Sequence, residues 1–134
     1  MTRILLFGAQ GLLGSAVFNA AADHHDFAVI PLGRFNYDLT DPEQIRQAFD
    51  EQSADAVINC AAFAGVDAAE DPERRELLFA LNAEAPRIMA EQCAARNLPF
   101  MHISTDYVFA GTGHRPWAPG DMAQPANAYG RMTG

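Results

Sequence analysis

The chain has 134 residues, 49% hydrophobic and 19% charged, with a formal net charge of −8. That length holds one domain with an ordinary globular core. The acidic balance excludes non-specific nucleic-acid binding, which needs a basic surface to displace counterions from phosphates, and no uninterrupted apolar run is long enough to span a membrane.

The first predicted strand is Arg3 to Gly8, an apolar run of the kind buried in parallel sheets. It breaks into Gly8-Ala9-Gln10-Gly11-Leu12-Leu13-Gly14, three glycines spaced three apart. Gly8 suits a tight turn, Gly11 a close backbone approach to a pyrophosphate, and Gly14 close packing of the helix that follows. The spacing differs from the Gly-x-Gly-x-x-Gly dinucleotide fingerprint. The same stretch has the charge and apolar character of a secretory leader, but the glycines and Gln10 interrupt its apolar region. The first helix is predicted from Gly11 to Ala22, with Leu12, Leu13, Ala16, Val17 and Ala20 on one side.

His24-His25-Asp26 reads as a solvated turn, and Phe27 to Leu32 as the second strand, ending at Gly33-Arg34. A short extended piece, Tyr37-Asp38-Leu39, follows. Asp41-Pro42-Glu43 is a helix start, a capping aspartate before proline at the first helical position. That helix turns Ile45, Ala48 and Phe49 inward. Ala54 to Cys60 is the next strand. Asp71-Pro72-Glu73 repeats the cap-and-proline start for a long helix to about Ala95, with Leu77, Leu78, Leu81, Ile88, Met89 and Cys93 as its apolar stripe. Pro86 lies inside it and predicts a kink or break. Pro99 to Ile103 is the last strand. Ser104 to Ala128 is irregular, and a helical turn starts at Tyr129.

Alternating strands and helices predict an α/β doubly wound parallel sheet, Rossmann-like, of about five parallel strands. Cys60 and Cys93 lack metal-ligand spacing and read as reduced, buried thiols in a cytoplasmic protein. No metal ligands are evident.

Ligands of doubly wound sheets bind at the carboxyl ends of the strands. Ser104-Thr105-Asp106-Tyr107 falls at such an end, where hydroxyls can hydrogen-bond a substrate carbonyl or cap their own backbone. Tyr129 stands at a helix start, as a proton donor or as an amphipathic anchor. An NAD-preferring fold places an acid about twenty residues past the glycines to bind the ribose hydroxyl. Arg34 occupies that distance here, and a guanidinium suits a 2′-phosphate. The expected cofactor is therefore NADPH, with NADH as the alternative.

These motifs, together with Asp38-Leu39-Thr40-Asp41, Val57-Ile58-Asn59-Cys60-Ala61-Ala62-Phe63, Val66-Asp67-Ala68-Ala69-Glu70, Asn82-Ala83 and Tyr129-Gly130-Arg131, occur in an order and spacing that resembles the extended short-chain dehydrogenase/reductases. The resemblance is greatest to the dTDP-4-dehydrorhamnose reductases. It implies that Gly8, Gln10, Gly11, Leu12, Leu13 and Gly14 hold the cofactor pyrophosphate. Asp38 and Leu39 then lie at the adenine. Ala61, Ala62 and Phe63 line the ribose and nicotinamide, with Asn82 and Tyr129 also on the cofactor side. Thr105 and Ser104 would polarise the substrate carbonyl and Tyr129 would protonate its oxygen. Asp67, Asp106 and Tyr107 fall on the substrate side. The implied reaction reduces the 4-keto group of a dTDP-6-deoxyhexulose to dTDP-L-rhamnose. The alternatives are a non-catalytic regulatory or nucleotide-sensing subunit, such as those that regulate methionine adenosyltransferase, and another nucleotide-sugar epimerase or dehydratase.

Two departures stand out. The family pattern is Tyr-x-x-x-Lys, but the fourth residue after Tyr129 is Thr133, and all nine basic residues are arginine. Arg131 is no substitute, because two residues along a helix is a rotation of about 200°. An unassisted tyrosine titrates near 10, and losing positioned proton transfer costs roughly 10²–10⁴-fold in rate. The resemblance also implies further strands and a substrate lobe beyond Gly134. Residues 1–134 are thus expected to be an incomplete cofactor-binding domain, inactive alone. Its uncovered apolar edge invites association, for instance as a homodimer.

Overall fold

A computed structural model describes residues 1–62, 70–104, 116, 118 and 119. Four strands form one parallel sheet in the order β2-β1-β3-β4. They are β1 (Thr2–Phe7), β2 (Phe27–Leu32), β3 (Ala56–Asn59) and β4 (Phe100–His102). The helices are α1 (Leu12–Ala21), α2 (Pro42–Glu51), α3 (Pro72–Phe79) and α4 (Ala85–Ala95). The chain runs from β1 outward to β2, then crosses back to place β3 on the other side of β1. The carboxyl ends of β1 and β3 therefore flank the point where the winding reverses, which is where doubly wound sheets open a crevice.

The main core lies between the sheet and the pair α2 and α4. Leu5 and Phe7 of β1, Leu32 of β2 and Val57 of β3 meet Ile45, Ala48 and Phe49 of α2 and Ile88, Met89 and Cys93 of α4. The Phe7 and Phe49 rings stack with centroids 5.7 Å apart, and the Arg96 guanidinium lies 5.5 Å over the outer face of Phe49. As expected, α2 starts at its aspartate, with the Asp41 side chain accepting from the Glu43 N–H and Pro42 in the first turn.

Two elements differ from the sequence expectation, and a third meets it. Tyr37-Asp38-Leu39 does not join the sheet. The Tyr37 N–H donates to the Gly33 carbonyl at 2.8 Å, and the Asp38 N–H donates to Gln44 Oε1 at 2.8 Å. With these donors used locally, no ladder forms, and Tyr37 and Leu39 are buried in the core instead. Four strands, not five, therefore pair among the described residues.

Second, α1 buries only Gly14. Leu12 is 95% exposed and Leu13 46%, so the apolar side of this helix lies largely open, with Val17 half-buried.

Third, the long helix is interrupted. Five residues, Ala80–Glu84, form a π-helical segment between α3 and α4, directly before Pro86 in the first turn of α4. Proline has no N–H to give the preceding turn and its ring crowds that turn's carbonyl. A widened turn accommodates both, so the break expected at Pro86 is present. Leu78, Ile88, Met89 and Cys93 of the stripe are buried, while Leu77 is exposed.

Candidate functional site

The glycine loop is shaped by contacts that exclude a side chain. Gly8 has φ +77°, and a Cβ there would stand 2.4 Å from the Ala61 nitrogen. A Cβ on Gly14 would stand 1.9 Å from the Gly8 carbonyl oxygen. Gly11 differs: its Cβ would meet only that oxygen, at 3.5 Å, an ordinary contact. Gly8 and Gly14 thus hold β1, the loop and α1 together, while Gly11 faces open space. The Gly8 N–H donates to the Leu32 carbonyl at 2.9 Å and the Gly11 N–H to the Gly8 carbonyl at 3.1 Å, closing the turn. Gly11 is the N-cap of α1 in extended geometry, with no side-chain cap and no acidic residue in the first turn. The first amides of a helix have no intrahelical partner and carry partial positive charge. Left uncapped and unneutralised, this end of α1 suits an anion such as a diphosphate.

A cleft of about 560 Å³ opens over this loop. Gly8, Gln10 and Gly11 form its floor, and Gly33, Arg34, Asp38, Leu39 and Thr40 one rim. The turn at Gly33 is held by Asn36, whose Oδ1 accepts the Gly33 N–H at 2.9 Å. Arg34 is exposed and forms no ion pair among the described residues. Its guanidinium is therefore available to a ligand. Asp38 accepts the Thr40 hydroxyl at 2.6 Å and the Thr40 N–H at 3.0 Å. These two bonds, the hydroxyl foremost, hold its carboxyl below the usual carboxylate range. The rim thus offers one cation and one firmly ionised acceptor.

The opposite side is the carboxyl end of β3. Cys60, Ala61 and Ala62 line it, and Leu77, Leu78 and Leu81 from α3 and the π segment form an apolar wall. The Cys60 N–H donates to the Phe7 carbonyl at 2.9 Å, binding the two strand ends together. Burial pushes the Cys60 thiol up, so it stays protonated at neutral pH. Fused strand ends, a bare glycine loop, an open helix N-terminus and a rim arginine fit an elongated nucleotide with a charged middle.

Comparison with known proteins agrees with this geometry. Residues 1–133 match the RmlD substrate binding domain family. The chain belongs to that family. A dTDP-4-dehydrorhamnose reductase from Streptomyces griseus is 39% identical over 128 residues, covering 96% of this chain and 41% of the relative. The crystal structure of a dTDP-4-dehydrorhamnose reductase from Clostridium acetobutylicum superposes with a TM-score of 0.90 at 33% identity, covering 98% of this chain and 46% of that one. The reductase of Bacillus anthracis, crystallised in complex with NADP, also gives a TM-score of 0.90, at 29% identity and the same coverages. This RmlD-family chain therefore spans less than half the length of these relatives.

Of the residues expected to act in this RmlD-family chain, the structure gathers Gly8, Gln10, Gly11, Arg34, Asp38, Leu39, Ala61 and Ala62 around the one cleft. Leu12 and Leu13 stand exposed on the first turn of α1, and Gly14 is buried beneath the loop. Asn82 is buried in the π segment, next to the cleft-lining Leu81. Ser104 follows β4 and is exposed. Phe63, Asp67, Thr105, Asp106, Tyr107 and Tyr129, with Thr133, lie outside the described residues.

Sequence reading missed Cys60, Thr40 and the Leu77, Leu78 and Leu81 wall as cleft-lining residues. Adjacent leucines at 77 and 78 point in different directions on a helix, so one of them had to leave the core. That was the available signal. Among the described residues no cluster of His, Cys, Asp and Glu can hold a metal, and no helix is long and apolar enough to cross a membrane.

Proposed function

We propose that this chain is the NADPH-binding part of a reductase that converts the 4-keto group of a dTDP-6-deoxyhexulose to the alcohol in dTDP-rhamnose biosynthesis. The observation that carries the reading is the continuity of the cleft. It joins the glycine loop at the α1 N-terminus to the exposed guanidinium of Arg34 on one side and to Ala61 and Ala62 on the other. A diphosphate lies naturally at the loop and a 2′-phosphate at the arginine. Family membership and the NADP-bound relative support the same assignment.

Bound there, NADPH supplies the hydride that reduces the keto carbon. In this reading Ser104 and Thr105 polarise the carbonyl by hydrogen bonding to its oxygen, and Tyr129 gives that oxygen its proton. Asp67, Asp106 and Tyr107 contribute to the substrate side. The absence of lysine leaves Tyr129 without the cation that lowers a phenol's pKa, so this chain by itself turns over no substrate.

Titrating the chain with NADPH and NADH, followed by nicotinamide fluorescence, tests the assignment. NADPH is expected to bind more tightly than NADH. An absence of binding by either nucleotide at millimolar concentration overturns it. Measurable oxidation of NADPH by this chain with a dTDP-4-keto-6-deoxy sugar would show that Thr133 does not limit catalysis.

A further inference from the structure

Behind the cleft lies a buried polar pair that the cofactor reading does not use. Asn59 ends β3 with its side chain only 1% exposed, one of two buried polar residues in the described core. Its register partner on β4 is His102. Asn59 Nδ2 lies 3.2 Å from His102 Nδ1, and Asn59 Oδ1 accepts the Ala61 N–H at 3.0 Å. The Asn59 carbonyl also accepts the Ile103 N–H at 3.3 Å, one residue before Ser104. One residue thus ties the cofactor-facing turn after β3 to the strand end that leads to the hydroxyl motif.

The bonding directions are forced. A backbone N–H can only donate, so the Asn59 carboxamide must turn its oxygen to Ala61 and its NH₂ to His102. His102 Nδ1 must then accept, which places the ring proton on Nε2. An imidazolium carries N–H on both nitrogens. Protonation would set a donor against the Asn59 NH₂, and flipping the carboxamide to relieve that contact would strip Ala61 of its acceptor. Ala61 matters because its backbone is pressed against Gly8: a Cβ on Gly8 would reach within 2.6 Å of the Ala61 Cα. Movement at Ala61 therefore reaches the diphosphate loop directly.

We propose that Asn59 and His102 are positioning residues for the cofactor site, holding Ala61 and Ala62 in the binding geometry only while His102 is neutral. The consequence for cofactor affinity rests on the NADPH-binding reading; the tie itself does not. The surroundings favour the neutral ring. On β4, Phe100 stacks on His102 with centroids 6.3 Å apart. Just past β3, Cys60 is a protonated thiol held up by burial. On α4, Cys93 is pushed up to about 11, by burial first. The charged groups of α4 and its ends are spent in ion pairs, Arg87 with Glu84 and Glu91, and Arg96 with Asp50. No carboxylate among the described residues supports an imidazolium, and burial holds His102 below its ordinary range. The sign follows: the neutral form is favoured in the folded protein, so the tie is intact above about pH 6.5 and is lost as pH falls through the lower folded-state value.

The test is an NMR titration of the ¹⁵N-labelled chain without cofactor, from about pH 8 to about pH 5. The expected result is a neutral His102 protonated at Nε2, with the Ala61 amide shifting at the same midpoint as the ring. A proton on Nδ1, or an Ala61 amide indifferent to His102, overturns the tie. Affinity is read in parallel, with NADH alongside NADPH because the 2′-phosphate itself titrates near pH 6. The NADH dissociation constant should rise about five- to tenfold over the acid range in the wild-type chain, the scale of one lost buried hydrogen bond. In His102→Gln, which keeps an acceptor but cannot titrate, it should change less than about twofold. Equal pH dependence in both proteins overturns the positioning role. Should neither nucleotide bind at any pH while Ala61 still follows His102, the cofactor reading fails and the tie stands.

Discussion

Replacing Gly14 by alanine sets two effects of opposite sign against each other. Gly14 lies inside α1, where alanine is favoured over glycine by about 0.8–1.0 kcal/mol on propensity alone. The added Cβ, however, would stand 1.9 Å from the Gly8 oxygen and 2.7 Å from the Gly8 carbonyl carbon. Those are backbone atoms of a turn already pinned to Leu32 by the Gly8 N–H, so no flexible side chain can yield. Overpacking of this kind costs about 1–3 kcal/mol, and contacts so short belong at the upper end. The net expectation is a loss of about 1–2 kcal/mol. With a urea m-value of roughly 1–3 kcal/mol/M, the midpoint falls by about 0.3–2 M.

Gly11→Ala is the matched comparison. Its Cβ has room at 3.5 Å, so stability changes by only about 0.5–1 kcal/mol through the weaker N-cap. The new methyl projects over the cleft floor, and NADPH affinity should drop instead. Urea denaturation with NADPH titration on both variants reads the two effects separately. A Gly14→Ala protein as stable as the parent or more so would refute the steric argument, since propensity alone would then have decided the outcome.

Arg34→Ala should weaken NADPH binding about ten- to hundredfold, the loss of a charge-assisted hydrogen bond, and leave NADH within about twofold. Parallel fluorescence titrations check this, and an equal loss for both nucleotides would place Arg34 elsewhere than at the 2′-phosphate. Phe49→Ala removes a ring that is 4% exposed and stacked on Phe7. It should cost about 3–5 kcal/mol in chemical denaturation, and a loss under 1 kcal/mol would contradict the packing described. Of the two thiols, the half-buried Cys60 should react with a disulfide reagent before the buried Cys93, whose thiol is pushed up to about 11. Saturating NADPH should slow the Cys60 reaction, and unchanged labelling would put the nucleotide outside this cleft.

Most of what the sequence made legible depends on neighbours in the chain. The turn at Gly8, the capped start at Asp41-Pro42, the break at Pro86 and the buried runs of β1 and β3 each follow from backbone sterics or periodicity within a few residues. Arg34 was legible for a related reason: its distance from the glycines is counted along the chain, and the parallel strand pair converts that distance into a place at the cleft rim.

What failed were readings that assumed where a face would be directed. The Leu12, Leu13 and Val17 side of α1 has a core-like pattern, but α1 docks through Gly14 against the Gly8 loop. That close approach leaves Leu12, Leu13 and Phe18 exposed. Tyr37 to Leu39 has extended character, yet Gln44 takes the Asp38 N–H and Glu51 accepts from the Tyr37 hydroxyl at 2.8 Å, drawing the segment onto α2 and away from the sheet. Asn59 and His102 are separated by 43 positions, and nothing local to either marks the other. Local sterics and spacing along 134 residues determined the glycine loop between β1 and α1. The parallel register of β3 with β4 decided that Asn59 meets His102, because only strand pairing brings such distant hydrogen-bonding atoms within reach.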